Sequence, residues 1–226
     1  MIRLLLEKLD RRVRELQTAI YEPRQPLSGW RFHDGPLPPE AAAPGYVDAG
    51  WLELRVGEHW GESMRQAWFR RRVRIPEAWA GRPVAMLLSL HFYLPGAVED
   101  GLGTSEGLVY IDGTPVQAVD RHHREVLLTE NARGGEEYAV AVQAFAGMNP
   151  GRRTFGLADL AVINREVEAL YFDARAALEA ARLLDERSLA HSAVLNALNE
   201  ALLRVEAHHP WGEPWQQSLP RAREHL

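Results

Sequence analysis

The residues best equipped for chemistry lie between Glu106 and Leu128, in the run EGLVYIDGTPVQAVDRHHREVLL. Asp112, Asp120 and Glu125 are its clustered acids, and a glycoside-cleaving pair would need two of them roughly 5–9.5 Å apart. Asp112 is already accounted for by an Asp-Gly turn, which leaves such a pair incomplete. Asp120, His122 and His123 offer metal-ligand types, but neighbouring residues on a strand point to opposite faces, which works against both imidazoles reaching one ion. No glycine-rich phosphate loop follows a strand, and no nucleophile-elbow pattern occurs. Four tryptophans, Trp30, Trp51, Trp60 and Trp68, cluster upstream. Trp30 and Trp60 are candidates for stacking on a sugar or meeting another domain, although core packing is the expectation for most of the four.

These residues depend on elements that the periodicity defines. Residues 1–21 carry a helical stripe of Ile2, Leu5, Leu6, Leu9, Val13, Leu16 and Ile20. Proline-rich chain from Pro23 to Pro44 argues against regular structure over most of that span. From about Trp51 to Ile163 the period is two. Asp112-Gly113 turns a hairpin, and short strands without intervening helices predict an antiparallel sandwich or barrel. Phe69, Arg71, Val73 and Ile75 alternate against Trp68, Arg70, Arg72 and Arg74, which puts Arg71 on the core-facing side. A buried guanidinium needs a partner, and Asp120 and Glu125 are the acids offered; otherwise a bulge or edge leaves Arg71 wet. After Asn164, a plausible N-cap, the helical period returns, and Ser188 caps a second helix to make a hairpin. The run HHPWGEP then breaks the helix.

At 226 residues, with 25% charged and 46% hydrophobic residues, the chain has an ordinary globular composition. Its net charge of −5 argues against nucleic acid as a partner. No apolar run approaches membrane-spanning length, and the charged N-terminus is not a signal peptide. The absence of cysteine excludes disulfides and thiolate sites and fits a cytoplasmic protein.

Long motifs carry a resemblance. Trp68 to Pro76 (WFRRRVRIP), Trp79 to Val84 (WAGRPV) and Val109 to Val116 (VYIDGTPV) resemble the sugar-binding-like jelly-roll domain at the front of many glycoside hydrolases. Leu27 to Trp30, Asp120 to Val126, Ala144 to Ala161 and Arg165 to Asp173 extend the likeness over nearly the whole chain to the N-terminal region of family 38 α-mannosidases. The resemblance implies a mainly β, galactose-binding-like jelly roll at 25–163, a leading helix at 1–24, and a helical hairpin with linker at 164–226. It also implies retaining, zinc-dependent hydrolysis of α-mannosides by a catalytic domain that follows, opening on a His-x-His-x-Asp motif. That motif is absent here, so no catalytic or zinc-binding residue carries over and no cofactor is expected in this chain.

The expected role is a non-catalytic accessory region whose partner is the catalytic domain of the same polypeptide, with self-association covering surface in the isolated chain. A stand-alone module for mannose-containing glycans is the alternative. Trp30, Trp60, Asp120, His122, His123 and Glu125 are the candidates for sugar contact or a domain interface. Arg71, Asp112 and Gly113 are expected to be structural.

Overall fold

The computed structural model describes residues 2–91, 105–148, 150–206 and 212–226. It divides into two compact units, one of residues 23–162 and one that joins 1–22 to 163–226.

The first unit is an antiparallel β-sandwich. Its six-stranded sheet runs β3 (Leu52–Leu54), β2 (Trp30–Asp34), β5 (Gln66–Arg74), β10 (Glu137–Phe145), β7 (Glu106–Ile111), β8 (Thr114–Val119). The opposing sheet runs β1 (Tyr21–Pro26), β12 (Leu157–Ile163), β6 (Val84–Ser89), β9 (Glu125–Thr129), and β4 (His59–Trp60) pairs with β11 (Arg153–Thr154). Phe69, Val73, Val109, Val140 and Val142 of the larger sheet meet Met86, Leu88, Val126, Leu160 and Val162 of the smaller in one apolar core. Every position of β6 is buried, which is why that strand reads as an unbroken apolar run rather than an alternating one.

The proline-rich stretch holds more regular structure than its composition suggests. β1 contains Pro23 and Pro26, and it sits at the end of its sheet, where a missing N–H need not break a ladder. The Asp112-Gly113 turn has φ of 50° at Asp112 and 82° at Gly113, the positive values a two-residue hairpin turn demands. Asp112 is tied down further: its backbone N–H donates to the Ala139 carbonyl at 2.8 Å, and its Oδ1 accepts from the Ala139 N–H at 2.8 Å.

The outer face of the larger sheet is covered as well. Trp68, Tyr110 and Ala141 pack with Ala41 and Ala42 into a second small core, flanked by Leu37, Tyr46 and Trp51. Arg70 pins this loop to the sheet. Its Nε donates to Asp48 at 3.1 Å, its terminal nitrogens donate to the carbonyls of Ala41 and Ala43, and its guanidinium lies 5.4 Å from the Tyr46 ring centre. Arg70, on the side of the strand that alternation assigns away from the core, is 6% exposed.

The second unit is helical: α1 (Ile2–Ala19), α2 (Arg165–Leu183), α3 (Leu189–Arg204) and α4 (Glu213–Arg223). Asn164 accepts from the Val167 N–H to cap α2, and Ser188 accepts from the His191 N–H to cap α3. The apolar stripes are buried: Leu9, Val13, Leu16 and Ile20 from α1 and after it, Val167, Leu170 and Leu178 from α2, Leu195, Leu198 and Leu202 from α3. Arg182 pairs with Asp10 at 2.5 Å, and an Arg12 terminal nitrogen donates to the Leu202 carbonyl at 3.0 Å, so the leading helix belongs with the C-terminal ones. Most of the helix break read at HHPWGEP lies outside the described residues; α4 begins at Glu213, within it.

Candidate functional site

The polar run at 120–125 is the turn by which the chain crosses from one sheet to the other. β8 ends at Val119 in the larger sheet and β9 starts at Glu125 in the smaller. Asp120 organises the crossing. Its Oδ1 accepts from the backbone N–H of His122 and of His123, each at 2.7 Å, and lies 3.0 Å from His123 Nδ1. Its own N–H donates to the His123 carbonyl at 3.1 Å. Downstream, Gln117 Nε2 donates to the Glu125 carbonyl at 2.6 Å and the Leu88 N–H donates to the Arg124 carbonyl at 2.8 Å, which fixes the incoming strand.

Burial pushes the Asp120 carboxyl up, but the hydrogen bonds from the His123 backbone and ring and from the His122 backbone outweigh it and hold it at about 2. That is below the ordinary aspartate value near ~3.9, so the charged form contributes stability above about pH 4 and loses it as pH falls toward 2. Asp120→Asn keeps an oxygen for the two N–H groups and removes only the charge. With the Asp120 side chain 41% exposed, the loss at pH 6 is expected to be about 0.5–1 kcal/mol. Urea unfolding at pH 6 and pH 2.5 checks this: the gap between variant and wild type should narrow at the lower pH to about a third of its size at pH 6.

His122 and His123 are exposed, and they do not converge. His122 Nε2 accepts from Arg121 Nε at 2.8 Å, whereas His123 turns to Asp120. No group of three or more potential metal ligands assembles among the described residues. Nor does Asp112 pair with Asp120 for glycoside chemistry. Asp112 and Asp120 sit at opposite ends of β8, roughly 20 Å apart by strand rise. The Asp120 carboxylate is already engaged in holding its own turn.

Trp30 and Trp60 leave the list of surface candidates. Both are 1% exposed. The Trp30 indole N–H donates to the Leu27 carbonyl at 3.0 Å and its ring meets Phe155 edge-on at 5.6 Å. The Trp60 N–H donates to the Leu90 carbonyl at 2.9 Å and its ring stands perpendicular to Phe69 at 5.3 Å. Each has its one polar atom satisfied and its faces packed, so neither can stack on a sugar.

Arg71 does occupy the core-facing side of β5, half-buried, without the acid partner anticipated for it. Neither Asp120 nor Glu125 pairs with it among the described residues, and its Nε is buried with no hydrogen-bond partner. Desolvation accordingly lowers its pKa. The arginine that is fully paired is its neighbour Arg70, on the opposite face. A second buried arginine that residue types did not single out is Arg153, whose Nε donates to the Ala146 carbonyl at 2.6 Å and whose Nη1 donates to the Gly151 carbonyl at 3.1 Å. The only sequence signal for either is its place inside an arginine run, which does not separate buried from solvated members.

Against known families, residues 23–173 match the model described as "Alpha-mannosidase, jelly roll domain". The chain belongs to this family. Its jelly-roll segment covers the whole sandwich and the first half of α2. Among curated relatives of this α-mannosidase jelly-roll chain, "Alpha-mannosidase 2C1" from Homo sapiens is 27% identical over 191 residues, covering 76% of this chain and 17% of the relative. The protein of the same name from Mus musculus gives the same figures. The chain therefore spans about one sixth of the length of these relatives. Among solved structures, a glycosyl hydrolase family 2 member from Bacteroides cellulosilyticus superposes with a TM-score of 0.46 at 16% identity, over 62% of this chain and 20% of that one. A β-glycosidase from Bacteroides vulgatus superposes with a TM-score of 0.46 at 19% identity, over the same shares.

Proposed function

We propose that this chain is the non-catalytic accessory region of an α-mannosidase, a jelly roll with a helical unit that docks on a catalytic domain of the same polypeptide. The observation that carries the reading is the family match across the entire sandwich. The site geometry agrees with it: Asp120 and His123 are engaged in a sheet-crossing turn and Asp112 in a hairpin turn. In this reading zinc and the nucleophile belong to the docked domain, where α-mannosides are hydrolysed. A cytoplasmic setting accords with the cysteine-free sequence.

The helical stripes are buried in this chain, which narrows the docking surface to what stays exposed. Leu183 and Leu189 flank the turn between α2 and α3 and are 89% and 90% exposed, and Phe172 on α2 is more than half exposed. Apolar side chains held this far into water are suited to contact with another domain, and in the isolated chain to self-association.

The decisive test is an activity assay with a chromogenic α-mannoside, with and without added zinc. The 226-residue chain is expected to give no turnover above background under either condition, and any turnover would overturn the assignment. Reading the gene downstream of residue 226 supplies the second arm, where a His-x-His-x-Asp segment is the expected finding.

A further inference from the structure

The outer face of the larger sheet carries a groove that none of the roles above uses. Strand register sets two adjacent rows there. Gln66, Phe145 and Glu106 face one another across β5, β10 and β7, and Trp68, Gln143, Leu108 and Ala118 do so across β5, β10, β7 and β8. Cross-strand partners present their side chains on one face, and Ala144 and Gly107, which alternate with these rows, point into the core instead. The groove holds about 240 Å³. That is below the roughly 300–1,000 Å³ of drug-sized pockets and suits a ligand of one or two small rings.

Its chemistry is specific. Leu108 and Phe145 supply an apolar floor, while the Glu106 carboxylate and the Gln66 and Gln143 amides supply polar groups. Among the described residues no lysine or arginine lines it. The Glu106 carboxylate makes no ion pair or hydrogen bond among the described residues. Tyr110 Oη donates to Gln143 Oε1 at 3.3 Å, which orients that amide and leaves its Nε2 to donate. Next in the same row, Trp68 is completely buried, its ring stacked on Tyr110 at 5.8 Å, and its indole N–H has no hydrogen-bond partner among the described residues.

A single carboxylate with two amides is a poor cage for a metal ion, which wants several anionic oxygens. An anionic ligand would be repelled by Glu106. A neutral polyol fits on every count: adjacent hydroxyls donate to the carboxylate, ring and hydroxyl oxygens accept from the amides, and the C–H face of the ring lies on Leu108 and Phe145. We propose that this groove is a binding site for a neutral sugar ring, with Glu106, Gln66 and Gln143 reading its hydroxyls and Phe145 supporting its apolar face. The site deepens the accessory reading by giving the sandwich a ligand, yet it stands on the groove alone and does not require a docked catalytic domain.

Nitrogen-15 NMR titration of the 226-residue chain tests it, with methyl α-D-mannoside, α-linked mannobiose and D-glucuronate as probes. Millimolar binding of the two mannosides is expected, with amide shifts concentrated at residues 66, 106–108, 118 and 143–145, and none for glucuronate. Glu106→Ala, at an exposed position where folding should be retained, is expected to weaken binding by about tenfold or more, the usual scale for losing a charge-assisted hydrogen bond. A His123→Ala control should bind as wild type. The proposal is overturned by an absence of shifts at tens of millimolar mannoside, by shifts centred on another surface, by glucuronate binding as well as mannoside, or by Glu106→Ala binding unchanged. None of these outcomes bears on the turnover assay, so the two readings fail separately.

Discussion

An Arg70→Met variant is expected to lose about 2–4 kcal/mol of stability, below the full range for a wholly buried charge pair because the Asp48 side chain is 32% exposed. Methionine fills much of the space but leaves the Asp48 carboxylate unpaired and the Ala41 and Ala43 carbonyls without their donor. It also uncovers the Tyr46 ring face that the guanidinium now occupies. For a chain of this size each kcal/mol moves the melting temperature by about 2–4 °C, so a fall on the order of 10 °C is expected in calorimetry. Arg70→Lys should recover less than half of the loss, because an ammonium cannot reproduce the planar fork that serves three acceptors at once. Limited proteolysis should then cut first within 36–51, the loop that this arginine ties down. A variant within 1 kcal/mol of wild type would show that the loop is held by its apolar contacts alone.

Trp60→Ala is expected to cost about 3–5 kcal/mol, the usual range for emptying a buried aromatic site. The indole is sealed in the main core against Phe69, so the loss is chiefly one of packing. The Leu90 carbonyl keeps a donor even in the variant, since Ser105 Oγ reaches it at 3.1 Å. Trp60→Phe should therefore retain more than half of the lost stability. Denaturant unfolding measures both, and the outcome separates a core residue from a sugar platform: a stacking residue on the surface would leave the midpoint unchanged when truncated.

These expectations place the structural weight of the protein away from its most reactive-looking residues. The Asp-Arg-His-His-Arg-Glu run has the residue types of an active site, and it is used to carry the chain around one end of the sandwich. The residues with untapped polar capacity are plainer ones: two glutamines and a glutamate on an open sheet face. Two adjacent arginines, Arg70 and Arg71, have opposite fates, one hydrogen-bonded to three acceptors and the other half-buried with its Nε unsatisfied.

Much was legible in the sequence because it rests on local physics. Period two between Trp51 and Ile163 follows from the pleat, and period 3.6 on either side follows from the helix turn. Asp112-Gly113 announces its hairpin because few other pairs tolerate positive φ at both positions, and Asn164 and Ser188 announce helix starts because the first turn needs an acceptor. The long motifs named the family for the same reason: they record many such local requirements in order.

What the sequence by itself determined, then, was the kind and order of the elements and the side of each that must be buried. Only the tertiary structure decided what does the burying. Alternation along β5 separates Trp68 and Arg70 from Phe69 and Arg71, but it cannot say that residues 36–51 fold over the first pair and bury them too. The stripes on α1, α2 and α3 demand a partner, and the chain brings α1 against both α2 and α3 from its far end. Periodicity is a property of one segment, whereas burial is a property of two, and the second segment is chosen by chain connections far apart in the sequence.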